Sequence, residues 1–299
     1  MDKTDKDTLA VVVTYNRLCD LKVCVSALRK QTYKYLDILV VNNGSNDGTK
    51  EWLDVQTDLK VINQKNLGGA GGFYAGMSYM MSHDYSWLVL MDDDGISAKN
   101  EIEELISNYP KVSESASKEV ILNALVVNKD DHEHVSFSWA RGSGRSNEVK
   151  ELMKEPFFKD IHPYNGTLIK RSIIEKIGLI KKEMFIWGDE KEYMVRAFHN
   201  GIGLYTVTSA IHFHPKEKGT FGSILPFIPS PKILLKPQKM SRFYYRNEGF
   251  IYEHYPEKKS KMWLFECAYI IRFLTHFEFR ELAKFIKYFN RGRKNDYSE

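Results

Sequence analysis

The 299 residues are 43% hydrophobic and 27% charged, an ordinary globular balance that excludes a disordered chain. The net charge of +4 is too small to imply nucleic-acid binding, but it is unevenly spread: residues 232–299 hold 15 Lys and Arg against 8 Asp and Glu, an excess of +7, leaving −3 for residues 1–231. Cysteines at 19, 24 and 267 have no zinc-type spacing and form no even set, which excludes a disulfide scaffold and fits a reducing compartment.

Met1 to Asp7 is too charged for a signal peptide, and the apolar stretch from Met262 to Ile271 is about half of the ~20 residues a membrane span needs. The chain then alternates strand and helix. Leu9 to Val13 is a β-branched run suited to a strand buried on both faces, and Leu21, Val25 and Leu28 recur at helical spacing. Leu36 to Val41 is a second strand ending in the turn-rich Asn42 to Thr49, Val61-Ile62 a weak third, residues 73–82 a helix, and Trp87 to Met91 a fourth strand. Such alternation predicts an α/β protein with a mostly parallel sheet flanked by helices. Val120 to Val127 adds a strand, and residues 128–160 read as loop centred on Gly142-Ser-Gly144. Helices are predicted from Ser172 to Ile177 and from Asp189 to His199. Pro226, Pro229, Pro231 and Pro237 mark a linker, and residues 240–290 read as helices rich in aromatic and basic side chains. These readings divide the chain into a domain over 1–231 and a helical extension over 232–299.

In an open α/β sheet, ligands bind where the carboxyl ends of strands open into loops. Polar loops stand at four such ends: Thr14-Tyr-Asn-Arg17, Asn42 to Thr49, Asn66 to Phe73, and Asp92 to Asp94. The three carboxylates of Asp92, Asp93 and Asp94 repel one another unless a cation screens them, and hard divalent ions such as Mg²⁺ or Mn²⁺ bridge carboxylates to phosphates. His212 and His214 alternate along a predicted strand, and one of them beside the triplet completes a metal shell, unless both are structural. Gly68, Gly69, Gly71 and Gly72 allow a ligand close to the backbone, but they lack dinucleotide-binding spacing. Asp189 and Glu190 at the mouth of a helix suit either a general base or helix capping.

The order of these motifs over residues 8–220 resembles family 2 glycosyltransferases of the GT-A type. Thr14-Tyr-Asn-Arg17 resembles the opening strand-end motif, Asn42 to Thr49 the "DNGSxDGT" loop, and Asp92-Asp-Asp94 the metal-binding D-x-D. Asn165-Gly-Thr167, Arg171 and Gly178 resemble the acceptor-side segment, and Trp187 to Arg196 the "WDDxEFxxR" block that contains the base. The segment Asn66 to Phe73 is similar to that of bacterial galactofuranosyltransferases.

The resemblance implies a GT-A nucleotide-sugar-binding fold with a helical C-terminal extension. It implies an inverting, metal-dependent transfer of galactofuranose from UDP-galactofuranose to a hydroxyl of a polysaccharide or lipid-linked acceptor. The alternatives are a rhamnosyl- or other hexopyranosyltransferase using a dTDP- or UDP-sugar, and a non-catalytic nucleotide-sugar binder. Donor binding falls to Thr14, Asn16, Arg17, Asn43, Asn66, Gly68, Gly69, Gly71, Gly72, Asp92 and Asp93. Mn²⁺ or Mg²⁺ falls to Asp92 and Asp94 with His212 or His214, acceptor binding to Trp187, Asn165, Gly166 and Glu192, and the base to Glu190, with Asp189 second. No nucleic acid is involved. The place implied is the cytoplasm, with the basic, aromatic segment 263–290 either packing on the catalytic domain or touching the anionic inner face of the cytoplasmic membrane.

Overall fold

The structure is a computed structural model describing residues 6–139, 144–217 and 219–298. The chain forms two compact units, Met1–Lys182 with Asn200–Glu217, and Glu183–His199 with Lys218–Glu299.

The first unit runs β1 (Thr8–Thr14), α1 (Leu18–Arg29), β2 (Leu36–Asn42), α2 (Thr49–Asp54), β3 (Lys60–Asn63), α3 (Gly68–Met81), β4 (Trp87–Asp92), β5 (Ile96–Ser97), α4 (Glu101–Ala116) and β6 (Val120–Asn128). It continues through α5 (Val149–Leu152), β7 (Phe157–Lys159), β8 (Asn165–Lys170) and α6 (Arg171–Ile177), and ends on β9 (Gly203–His214). Its nine-stranded sheet has the order β3-β2-β1-β4-β8-β6-β9-β5, with β7 also on β9. Strands β3, β2, β1 and β4 are mutually parallel, as are β6 and β9, whereas β8 is antiparallel to both its neighbours.

All seven residues of β1 are buried, as its unbroken apolar run predicts for a strand covered on both faces. On one side α1 inserts Leu21, Cys24, Val25 and Leu28 into a core shared with Ala10, Val12, Val40 and Val89. The register sets Val13 opposite both Val41 of β2 and Asp92 of β4. The chain leaves β1 for β2 on one side and later returns to β4 on the other. This makes the carboxyl end of β1 a topological switch point, where loops diverge and a crevice opens.

Helix α3 begins at Gly68, five residues before the expected start. Four glycines within five residues read as loop because each costs a helix about 1 kcal/mol relative to Ala. Tertiary packing overrides that preference here: a Cβ on Gly72 would lie 2.4 Å from Val13 Cγ1, so only a bare backbone lets the helix sit this close to β1. Residues 128–160, expected as loop, contain α5 and β7, while Gly142 and Ser143 of the expected loop centre lie outside the described residues.

The second unit consists of α7 (Asp189–His199), a hairpin of β10 (Thr220–Ser223) and β11 (Lys232–Leu235), and helices α8 (Ser241–His254), α9 (Pro256–Lys259), α10 (Met262–Thr275) and α11 (Phe279–Arg293). The hairpin occupies what the prolines marked as a linker. Tyr245, Tyr269, Phe273, Phe285 and Phe289 form an almost fully buried aromatic core. Helices α8 and α11 cross at bare backbone: a Cβ on Gly249 would lie 2.2 Å from the Phe289 carbonyl, and one on Gly292 1.8 Å from that of Arg246.

Candidate active site

At the switch point, Asp92 ends β4 and Asp93 and Asp94 form the following turn. Asp93 is 4% exposed. Arg17, next to the start of α1, reaches across and places Nη1 2.6 Å from Asp94 Oδ2 and 3.3 Å from Asp93 Oδ1. From the other side, His214 at the end of β9 sets Nε2 3.2 Å from Asp94 Oδ1.

The three carboxyls differ sharply. Burial, then the neighbouring charges of Asp94 and Asp93, push Asp92 up to about 7, and burial likewise lifts Asp93 to about 6. For Asp94 burial also acts upward, but the hydrogen bond and charge of His214, followed by Arg17, outweigh it and hold the group at about 2. One permanent carboxylate, Asp94, therefore follows two carboxyls that resist ionising together.

This arrangement fits a hard divalent cation. His214 Nδ1 lies 2.7 Å from the Pro215 carbonyl, which can only accept, so Nδ1 carries the proton and donates it there. Nε2 thereby faces the Asp94 carboxylate 3.2 Å away, in a position that a proton on Nε2 fills as an ion pair and that a metal would fill in its place. Among the described residues no three His, Cys, Asp or Glu side chains are already gathered to hold a metal ion. Asp94 and His214 are the two side chains that would hold such an ion.

His212 belongs elsewhere. Fully buried, it sets Nδ1 3.0 Å from Glu101 Oε2, itself fully buried, while Nε2 has no protein partner and abuts Gly95, where a Cβ would lie 2.1 Å from it. His212 supports the turn after Asp94 from behind, and of the two histidines only His214 faces Asp94.

The loops after β1 and β2 are laced together. Asn16, at φ 54°, accepts a hydrogen bond from the Asn46 amide at 2.8 Å and donates its own amide to Ser45 Oγ at 3.0 Å. Asp47 caps α1 through the Leu18 amide at 2.9 Å, a role sequence reading did not assign. Thr14 is buried at the end of β1.

Asn43, expected to contact the donor, is 2% exposed and saturated within the protein. Its Nδ2 donates to the Gly68 carbonyl at 2.9 Å, and its Oδ1 accepts from the Leu67 amide and from Gln64 Nε2. It brackets the glycine segment, helped by Asn66, whose Oδ1 accepts the Gly68 amide at 2.9 Å. Gly71 faces Leu67 and Gly72 packs on Val13, whereas a Cβ on Gly69 would meet nothing within 4 Å. Of these three glycines Gly69 is the one presented to open space. A separate hollow of about 690 Å³, beside α1 and β5 and edged by Lys22, Lys30 and Lys99, is lined by none of the expected site residues.

Asn165 and Gly166, expected on the acceptor side, are buried in β8; a Cβ on Gly166 would lie 2.3 Å from Glu101 Oε1, so this glycine makes room for the buried Glu101–His212 pair.

In the second unit, Asp189 and Glu190 open α7, with Asp189 4% exposed. Glu190 Oε2 accepts the Gly188 amide at 3.1 Å, so it also serves its helix start. The approach to this helix is strained: Phe185 and Trp187 have φ of 66° and 59°, each costing roughly 1–3 kcal/mol for a bulky side chain, and Gly188 lies at 112°. Fully buried Asn247 holds it, with Nδ2 2.9–3.0 Å from the carbonyls of Met184, Ile186 and Trp187. Nothing in the sequence marked Asn247, a lone amide amid a helical aromatic run.

Lys236 Nζ lies 4.8 Å from the Trp187 ring centre. Glu192, expected at the acceptor, is 2% exposed; its carboxylate takes two bonds from Arg196, at 2.8 and 3.0 Å, and one from the Tyr255 hydroxyl. It is a structural ion pair.

A mostly parallel sheet flanked by helices, with a switch point and a carboxylate turn at its mouth, defines a protein with the GT-A fold. The chain belongs to glycosyl transferase family 2, whose sequence profile matches residues 9–177, and it is a glycosyltransferase. It is 27% identical over 252 residues to the galactofuranosyltransferase GlfT1 of Mycolicibacterium smegmatis, covering 81% of this chain and 82% of that one. It is 23% identical over 201 residues to the dTDP-rhamnosyl transferase RfbF of Shigella flexneri, 66% of this chain and 65% of that one. The fold matches that of mannosyltransferase PcManGT from Pyrobaculum calidifontis, solved with GDP-Man and Mn²⁺, with a TM-score of 0.52 at 14% identity, over 82% of this chain and 63% of that structure.

Proposed function

We propose that this glycosyltransferase moves galactofuranose from UDP-galactofuranose to a hydroxyl of a polysaccharide or lipid-linked acceptor, with inversion and with Mn²⁺ or Mg²⁺. The observation that carries the reading is Asp94, held ionised between Arg17 and His214 at the switch point. The M. smegmatis relative, whose name specifies galactofuranosyl transfer and which aligns over four-fifths of both chains, supports the sugar.

In this reading Asp94 and His214 hold the metal, with Asp92 beside them. The bound ion supplies positive charge against the departing diphosphate. Arg17 offers a second cation at the same carboxylates, and Gly69, half-buried with open space where a Cβ would stand, lets the donor approach the backbone at the start of α3. Glu190 takes the proton from the acceptor hydroxyl as its oxygen attacks the anomeric carbon and the bond to diphosphate breaks; Asp189 stands second for this role. Trp187, beside that helix start, offers the acceptor sugar a flat apolar face. Residues 1–231 then form the catalytic domain and 232–299 its extension, and the protein works in the cytoplasm at the inner face of the membrane.

A second reading, transfer of rhamnose from dTDP-rhamnose, draws on the S. flexneri relative. A donor screen separates them. UDP-galactofuranose should raise the melting temperature in the presence of Mn²⁺ and be turned over, with UDP-galactopyranose and dTDP-rhamnose weaker on both counts. A higher kcat/KM with dTDP-rhamnose selects the second reading.

A further inference from the structure

We infer that the exposed face of α10 and the tip of the β10–β11 hairpin form a surface that inserts into the headgroup region of an anionic bilayer. Trp263 and Leu264 are 60% and 51% exposed, Ile271 and Leu274 41% and 46%, and Cys267 is exposed among them. At 3.6 residues per turn these five positions fall within an arc of about 100° that contains no charge. The helix buries Tyr269, Arg272 and Phe273 instead, so the outward face is left over after its core is complete. Phe277 and Phe279 continue the apolar surface beyond the helix, at 78% and 58% exposure.

The hairpin adds to it. The Tyr269 hydroxyl of α10 donates to the Leu234 carbonyl of β11 and ties the base of the hairpin to the helix. From that base project Phe227, with its side chain entirely in solvent, and Ile228, in a turn framed by Pro226 and Pro229. Large apolar side chains at this turn and along an uncharged helix face are thus presented to solvent.

Charge selects the occupant. Exposed Lys261 and Arg280 bracket the apolar face, and residues 232–299 carry +7. A second copy would bring this positive region against itself, whereas anionic headgroups complement it, each basic residue near the surface adding attraction. Among the described residues no helix is long and apolar enough to cross a membrane, so the contact lies in the plane of the interface. The surface deepens the membrane contact proposed above and is independent of the donor: failure of the vesicle test leaves the UDP-sugar reading standing, and the reverse.

The test is sedimentation of the full chain with vesicles of phosphatidylcholine alone and of phosphatidylcholine with phosphatidylglycerol. Binding should be stronger with the anionic lipid and should survive high salt in part. Leu264→Asp with Ile271→Asp should weaken it about a hundredfold and Phe227→Ser about tenfold, with donor affinity unchanged. If the aspartates disturb folding, a polarity-sensitive dye on Cys267 in a Cys19→Ser background gives an independent readout; its emission should shift blue on vesicles and be quenched by nitroxide lipids. An unshifted dye, aspartate variants that bind as the parent does, or binding lost wholly to salt would each overturn insertion. A dye shift that follows protein concentration without lipid would assign the face to a second copy.

Discussion

The turns at Asp92–Gly95 and Phe185–Gly188 both present carboxylates, but they store their cost in different places. The first has no residue with positive φ; its penalty is electrostatic, three carboxyls pushed apart in their tendency to ionise. The second carries its penalty in the backbone, with Phe185 and Trp187 left-handed and one buried amide holding three carbonyls. Charge strain can be relieved by a ligand that brings a cation. Backbone strain is relieved only by more protein.

The sharpest way to break this comparison is Asp94→Ala. It should lower turnover by about 10³–10⁴-fold, several kcal/mol of transition-state charge stabilisation, and abolish Mn²⁺-dependent UDP binding while the melting temperature holds. Calorimetric titration of UDP with and without EDTA checks it. Glu190→Gln should cut kcat by about 10²–10⁴-fold with UDP affinity nearly intact, and Asp189→Asn should do less. If the order reverses in single-turnover kinetics, Asp189 is the base.

Asn247→Ala tests the backbone half. It should cost about 2–4 kcal/mol in urea unfolding, since several buried carbonyls lose their donor, and should lower kcat about tenfold without changing UDP affinity. The smallest effect is a control outside both turns. Burial lowers His162 to about 4, so the unfolded chain takes up its proton first as pH falls. The stability it contributes is complete above about pH 6.5 and is lost as pH drops towards 4. Replacing His162 with Phe should flatten that acid slope in pH-dependent melting.

The sequence was most legible where chemistry and strand order coincide. The apolar runs of β1, β2 and β4 could be read directly, because a doubly covered strand has a distinctive composition, and the acidic triplet stood out by its place immediately after β4. Less legible was whatever depends on a side chain's direction more than on its type. His212 and His214 share a strand and a spacing, yet one faces Glu101 and the other Asp94. Asn43, Glu192 and Gly166 carry family-like positions but work inside the fold. The strain at Trp187 was invisible because its support, Asn247, lies 60 residues away.

The interleaving of the two units has a consequence for synthesis. Residues 183–199 leave the first unit after α6 and return to it at β9, but their packing partners, α8 onward, are translated last. On the ribosome the sheet can close, with His214 delivered to Asp94, before Asn247 exists to hold the Phe185–Gly188 turn. A nascent or prematurely terminated chain therefore completes the sheet with its Asp92–Asp94 turn first and the support for its strained carboxylate-bearing helix start last.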